Sequence, residues 1–191
     1  MPTRVVIAED EAIIRLDLKE TLEEEGYEVV GETGRGDEAV ALVRTHAPDL
    51  AILDIKMPGL DGLSAAREIT AERLAGVLIL TAFSQRDLIE QARDAGALAY
   101  LVKPFQRSEL IPAVEVAVGR FREIKALTDQ NESLEDQLET RKVVDRAKGK
   151  LMDDHKLPEQ DAFAFIQKTA MRERMRMKDV AEQVIAGDLT P

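Results

Sequence analysis

Five short runs rich in apolar and β-branched residues recur along the first half of the chain: "RVVIAE" (4–9), "YEVVGE" (27–32), "LAILD" (50–54), "VLILT" (77–81) and "LAYLV" (98–102). The first, third and fourth are almost continuously apolar, the pattern of strands covered on both faces in a parallel sheet. Between them the apolar spacing changes to that of a helix, as in "AIIRLDLKETLEEEG", which closes on Gly26, and "GDEAVALVRTHAP", which stops at Pro48. "DGLSAAREITAERL" and "QRDLIEQARDAGA" follow suit. This (βα)5 alternation predicts an α/β fold with an open, doubly wound sheet and right-handed crossovers.

After Pro104 no strand pattern appears. Residues 108–155 read as one long helix, with Pro112 near its start, where proline is tolerated. Val114, Ala117, Phe121 and Ile124 keep helical spacing, and after a slip Leu127, Asn131, Leu134 and Leu138 form a short, imperfect heptad seam with one polar core position. Residues 114–138 are thus a candidate surface for pairing with a second chain, parallel or antiparallel; a solvated linker helix is the plainer alternative. Two more helices, "LPEQDAFAFIQKTAMRER" and "KDVAEQVIAG", complete a three-helix C-terminal piece expected to have little core of its own.

The boundaries expected are 1–122 for the α/β domain, 123–138 for a helical linker and 139–191 for the last domain. Charge separates them. The chain carries −11 overall, but residues 1–119 hold 12 Lys/Arg against 22 Asp/Glu, whereas residues 141–191 hold 11 against 9. The C-terminal surface is locally basic and calls for its own partner. With no cysteine, disulfides and thiolate metal sites are excluded. No apolar run approaches the roughly 20 residues of a membrane span, and a cytoplasmic protein is expected.

In an open α/β sheet ligands gather beyond the carboxyl ends of the strands. The polar residues there are Glu9 and Asp10 after strand 1, Asp54 ending strand 3, Thr81 ending strand 4 and Lys103 after strand 5. A strand order of 2-1-3-4-5 would bring them together. Clustered carboxylates repel, and a hard divalent cation such as Mg2+ relieves that, with Asp10, Asp54 and the backbone carbonyl of Lys56 as ligands. With no cysteine and no Ser–His pair in the set, the candidate nucleophile is a carboxylate, and Lys103 is placed to neutralise phosphoryl oxygens. Each residue alone has a plainer reading: Asp10 as a helix N-cap, Thr81 as an ordinary strand residue.

"AEDE", "LDIKMPGLDGL", "LTA" and "YLVKPF" together resemble the signature set of two-component receiver domains, over roughly residues 1–122. The resemblance implies a flavodoxin-like fold in which Asp54 accepts a phosphoryl group from a sensor histidine kinase. It implies that Glu9 and Asp10 hold Mg2+, Lys103 pairs with the phosphoryl group, Thr81 hydrogen-bonds it and Tyr100 is an aromatic switch. It also implies a cis Lys103–Pro104 bond. The strand 4–helix loop and the face carrying Tyr100 are the candidate bistable elements.

In "TRKVVDRAKGKLM", Val144, Ala147 and Leu151 form a core stripe, flanked by Lys142, Arg146 and Lys150 on one side and Arg141 and Lys148 on the other. Gly149 falls on the exposed side, at a cost of about 1 kcal/mol relative to alanine, and one reason for it is close approach by another backbone. Lys168, Arg172, Arg174, Arg176 and Lys178 form a second basic group, while Phe163 and Phe165 are read as core. This stretch with "EQDAF" and "KDVAEQVI" is similar to the ANTAR domain of antitermination regulators, over about residues 136–186. That resemblance implies binding of RNA hairpins in nascent transcripts, with Arg141, Lys142, Arg146, Lys148, Gly149 and Lys150 as candidate contacts. The expected protein is a phosphoacceptor regulator rather than an enzyme, whose acidic receiver screens the basic helices until phosphorylation releases or pairs them. The rivals are a DNA-binding response regulator and a protein-interaction adaptor; a metal-dependent phosphatase is disfavoured because neither His46 nor His155 lies near the strand ends.

Overall fold

The computed structural model describes residues 2–82 and 86–191. Strands β1 (Arg4–Ala8), β2 (Glu28–Thr33), β3 (Leu50–Asp54), β4 (Gly76–Thr81) and β5 (Ala99–Val102) form one parallel sheet in the order β2-β1-β3-β4-β5. They alternate with helices α1 (Ala12–Glu24), α2 (Gly36–His46), α3 (Gly62–Ala71) and α4 (Arg86–Asp94), and β5 leads into α5 (Arg107–His155). The expected parallel sheet and its strand order are both present.

The near-continuous apolar strands have their explanation in two cores. Successive strand side chains point to opposite faces. Val5, Ile7, Leu50, Ile52, Leu78 and Leu80 pack against Leu18 and Leu22 of α1 and Leu110, Val114 and Ala117 of α5. Val6, Ala8, Ala51, Leu53, Val77 and Ile79 pack against Ala39, Val40 and Val43 of α2, Ala65, Ala66 and Ile69 of α3 and Ala92 of α4. Burying each such branched side chain contributes about 1.5–3 kcal/mol, so neither face of a central strand can carry a polar residue cheaply. Because β2 lies on one side of β1 and β3 on the other, the topological switch falls between β1 and β3.

The chain divides into two compact units, Met1–Ala126 and Leu127–Pro191, with α5 contributing to each. The second unit adds α6 (Glu159–Glu173) and α7 (Met177–Ala186). Contrary to the sequence expectation, it has a real core: Val143, Val144, Ala147 and Leu151 of α5 close on Ala162, Ile166 and Ala170 of α6 and on Val180, Ala181 and Val184 of α7. The many alanines are the reason, since small side chains let short helices approach closely enough to seal a small interior. Phe165 packs against this core, but Phe163 does not and is 40% exposed, which corrects its reading as a core residue.

The loop after β3 is fixed by close backbone approach. A Cβ on Gly62 would lie 1.9 Å from the Asp54 carbonyl oxygen, and one on Gly36 would lie 1.9 Å from that of Leu60. The Gly62 N–H donates to the Ile55 carbonyl at 2.9 Å, and Asp61 caps α3 by accepting from the Ser64 N–H at 2.9 Å. The second acid of "LDIKMPGLDGL", Asp61, is therefore a capping residue. Gly62→Ala is expected to destabilise the first unit by about 1–3 kcal/mol, the usual cost of overpacking against atoms that cannot move aside. Urea unfolding checks this.

Candidate functional site

The end of the sheet concentrates charge where the switch in strand order leaves space. Ala8 pairs laterally with Leu53, so the residues that follow, Glu9 and Asp54, are neighbours. The cis Lys103–Pro104 peptide follows β5 directly. The Lys103 N–H donates to the Thr81 carbonyl at 2.7 Å, which ties the end of β5 to the end of β4. The Lys103 ammonium then reaches across the strand ends to Glu9 Oε2 at 2.5 Å and Asp54 Oδ1 at 3.3 Å. Asp54 Oδ1 also accepts from the Ile55 N–H at 2.8 Å. Arg15, which the sequence reading did not single out, donates to the Glu9 carbonyl at 2.5 Å and fixes the turn that carries Glu9 and Asp10. Its signal was position alone: one turn into α1, beside the acidic pair.

Glu9 is sealed from solvent and Asp54 is 6% exposed. Burial pushes both carboxyls above their ordinary range. For Glu9 the positive charge of Lys103 opposes this and the Asp54 charge adds to it. For Asp54 the Lys103 charge opposes burial and Asp10 adds to it. One ammonium is thus shared between two buried carboxylates, with a third alongside. Glu9, Asp10 and Asp54 bring carboxylate oxygens to within 4.8 Å of one another. Glu9 Oε2 makes a close ion pair with Lys103 but lies outside hydrogen-bond geometry, so it is left as a buried acceptor without a hydrogen bond. A buried, unsatisfied oxygen beside two more carboxylates fits a hard cation that takes oxygen ligands.

The plainer reading of Asp10 does not hold, because the N-cap of α1 is Glu11. Thr81 is 1% exposed at the last position of β4. Tyr100 pairs with Ile79, which places it on the same face as Thr81, one diagonal step away. Its ring packs against the α2–α3–α4 core and burial raises its hydroxyl pKa. Lys56 lies exposed two residues beyond Asp54. The β4–α4 loop, expected to be a moving element, passes through residues 83–85, outside the described residues.

In the second unit the candidate basic residues divide by what they touch. Arg141, Lys142 and Arg146 are exposed on α5, with Arg141 4.0 Å from Asp145. Lys148 instead bridges Asp145 and Glu159, each at 2.9 Å, joining α5 to the start of α6. Lys150 donates to the Ile185 carbonyl at 2.7 Å, satisfying an open acceptor at the end of α7. Gly149 has open space where a Cβ would stand, so no internal packing requires it.

The buried carboxylates give a pH dependence of definite sign. A folded-state pKa above the unfolded value means that deprotonation costs folding free energy. With metal chelated, Asp54→Asn is therefore expected to gain stability relative to wild type as pH rises above the ordinary aspartate value of about 4, and to lose that advantage when Mg2+ is supplied. Thermal melts of both proteins across pH, in chelator and in Mg2+, provide the check.

Comparison with known proteins agrees with this geometry. A family model for the response regulator receiver domain matches residues 5–115, and one for the ANTAR domain matches residues 132–185. The chain is 60% identical over its full 191 residues to "Transcriptional regulatory protein PdtaR" of Mycobacterium tuberculosis, covering 93% of that protein. It is 36% identical over 115 residues to the chemotaxis protein CheY of Bacillus subtilis, which spans 60% of this chain and 96% of CheY. Among solved structures, the receiver domain of NarL from M. tuberculosis superposes with a TM-score of 0.60 at 32% identity, covering 62% of this chain and 97% of that one. The CheX–CheY–BeF3–Mg2+ complex from Borrelia burgdorferi gives 0.57 at 26% identity, covering 60% and 87%. The chain belongs to the two-component response regulators in which a receiver domain is joined to a C-terminal ANTAR domain.

Proposed function

We propose that this protein accepts a phosphoryl group on Asp54 from a sensor histidine kinase and, so modified, acts as a transcription antiterminator by binding hairpins in nascent RNA. The observation that carries the first half is the Glu9–Asp10–Asp54 cluster facing Lys103 at the end of the sheet. Glu9, Asp10 and Asp54, with the Lys56 carbonyl, would hold Mg2+, which when bound supplies positive charge for the phosphoryl oxygens. Oδ1 of Asp54 is anchored by Ile55 and Lys103, so Oδ2 is the oxygen that attacks phosphorus. The new P–O bond forms as the P–N bond of the donor phosphohistidine breaks and its imidazole leaves. Lys103 pairs with the transferred group and Thr81 donates a hydrogen bond to it. Tyr100, on the same face as Thr81, turns inward as Thr81 moves toward that group.

The acyl phosphate adds about −1.5 to −2 charges. Domain roles follow the sequence boundaries: residues 1–122 receive, 123–138 link and 139–191 bind RNA. Arg141, Lys142 and Arg146 present the phosphate-binding charge, Gly149 permits close approach, and Lys148 and Lys150 hold the three helices in shape beside it. The protein needs no other catalytic activity for this role, and it works in the cytoplasm, where nascent transcripts are.

Of the 114–138 stretch, Val114 and Ala117 are buried in the receiver core and unavailable for pairing, and the part that supports homodimerisation is 124–138. Ile124, Leu127, Leu134 and Leu138 are 47–58% exposed on α5 and, with Asn131, recur at alternating spacings of three and four. In a parallel in-register pair the two Asn131 side chains meet and hydrogen-bond. In an antiparallel pair each would face a leucine and be left unsatisfied, so the asparagine favours the parallel arrangement.

Two experiments test this reading. RNA binding is measured for wild type and Asp54→Asn, with and without acetyl phosphate and Mg2+, using a two-hairpin RNA with duplex DNA as competitor at fixed salt. Wild type is expected to gain at least about tenfold in RNA affinity on phosphorylation, a coupling typical of such switches, and Asp54→Asn to gain none. DNA outcompeting RNA would favour the DNA-binding rival. An unchanged affinity at fixed oligomeric state would rule out release of a screened surface and leave pairing. Sedimentation of phosphorylated wild type and Leu134→Asp is expected to show a dimer that the variant loses.

A further inference from the structure

The exposed basic residues of α5 account for attraction to phosphate, which carries no sequence information. Discrimination needs a surface for bases, and α6 presents one. Positions four apart share a helix face, and Glu159, Phe163, Gln167 and Met171 make such a stripe, all exposed, with Arg174 ending it at the C-cap. Of the two aromatic residues in Leu127–Pro191, Phe165 packs on the core whereas Phe163 is 40% exposed; Met171 is 73% exposed. The stripe meets α5 through its first member: Glu159 pairs with Lys148 at 2.9 Å, Lys148 with Asp145 at 2.9 Å and Asp145 with Arg141 at 4.0 Å, so Arg141 stands on the adjoining flank.

We propose that this α6 stripe is the base-reading edge of the RNA site: Phe163 stacks on an unpaired loop base, Gln167 hydrogen-bonds a base edge, and Met171 packs beside them. The inference rests on the RNA-binding reading above and goes beyond it by naming the side that distinguishes loops from stems. Three features identify the occupant as single-stranded RNA. An aromatic face, an amide and a thioether in one row offer little to phosphate. Lys168 and Arg174, exposed beside them, complement a polyanion rather than an apolar protein surface. The unpaired bases of a hairpin loop supply both faces and charge, whereas stem bases are stacked away from side chains.

The chain has no tryptophan, so Phe163→Trp installs a single reporter that retains the stacking surface. The probe is a two-hairpin RNA selected from a pool with randomised loops on the full-length, acetyl phosphate-treated protein; the control is the same stems closed as blunt duplexes. Phe163→Trp is expected to bind the hairpin RNA as wild type does, with its emission quenched by the hairpins and not by the duplex. Phe163→Ala, checked for wild-type helicity and melting, is expected to lose about five- to hundredfold in hairpin affinity while keeping its duplex affinity and its salt slope. Gln167→Ala is expected to relax the preferred loop sequence on reselection. Wild-type hairpin affinity in Phe163→Ala, or hairpin binding that leaves the tryptophan emission unmoved, overturns the inference alone. Equal loss on hairpin and duplex overturns it in favour of a structural role for Phe163. Failure of wild-type protein to bind any RNA overturns the RNA-binding reading and this inference with it, and a protein captured by the same face would then be the occupant.

Discussion

The arrangement of the first unit turns on one electrostatic constraint: three carboxylates gathered at the end of an apolar sheet with one lysine between two of them. The packing denies water to two of them, Glu9 and Asp54, while Asp10 at the edge is exposed. Both faces of β1, β3 and β4 are buried, so their polar groups can appear only where the strands stop. That is where Glu9, Asp54 and Thr81 stand. Lys103 partly compensates the acids, at 2.5 Å from one and 3.3 Å from the other. The compensation is incomplete, as the raised carboxyl pKa values and the hydrogen-bond-deficient Glu9 oxygen show. A site left short of positive charge and aimed by rigid strands is suited to take a cation and then a phosphoryl group.

The surrounding backbone serves the same constraint. Gly62 and Gly36 allow the post-β3 loop to fold directly onto the carbonyls of Asp54 and Leu60, and Arg15 and Asp61 tie down the adjoining turns. Oδ1 of Asp54 is itself anchored by the Ile55 N–H, at the start of that loop, and by Lys103. A loop held this closely leaves little freedom in the aspartate, which is what positioning for in-line attack requires.

The second unit works by a different division of labour. Its alanine-rich interior lets a small number of residues hold three helices together, and two of its lysines are engaged in that task. Lys148 joins α5 to α6 and Lys150 joins α5 to α7. The α5 cations left exposed are fewer than the sequence displays, and α6 carries an exposed apolar and polar row that charge counting did not register.

The sequence by itself determined the five strands, the helices between them and the polar residues that stop the strands; the order of the strands came with the receiver resemblance and not with the pattern. Those elements and stops depend on local pattern: two-residue and 3.6-residue periods, and polar residues stopping apolar runs at Glu9, Asp54 and Thr81. Such signals survive in one dimension because each reports a neighbour a few positions away. The tertiary structure alone decided which residues share a contact across elements. It set Arg15 behind Glu9, made Glu11 rather than Asp10 the cap of α1, turned Lys148 and Lys150 inward to neighbouring helices, and left Phe163 outside the core. The physical reason is that helical periodicity fixes a face but not what comes to cover it. Phe163 and Phe165 are two residues apart and equally apolar, and only the packing of α5, α6 and α7 determines that one is covered and the other faces solvent.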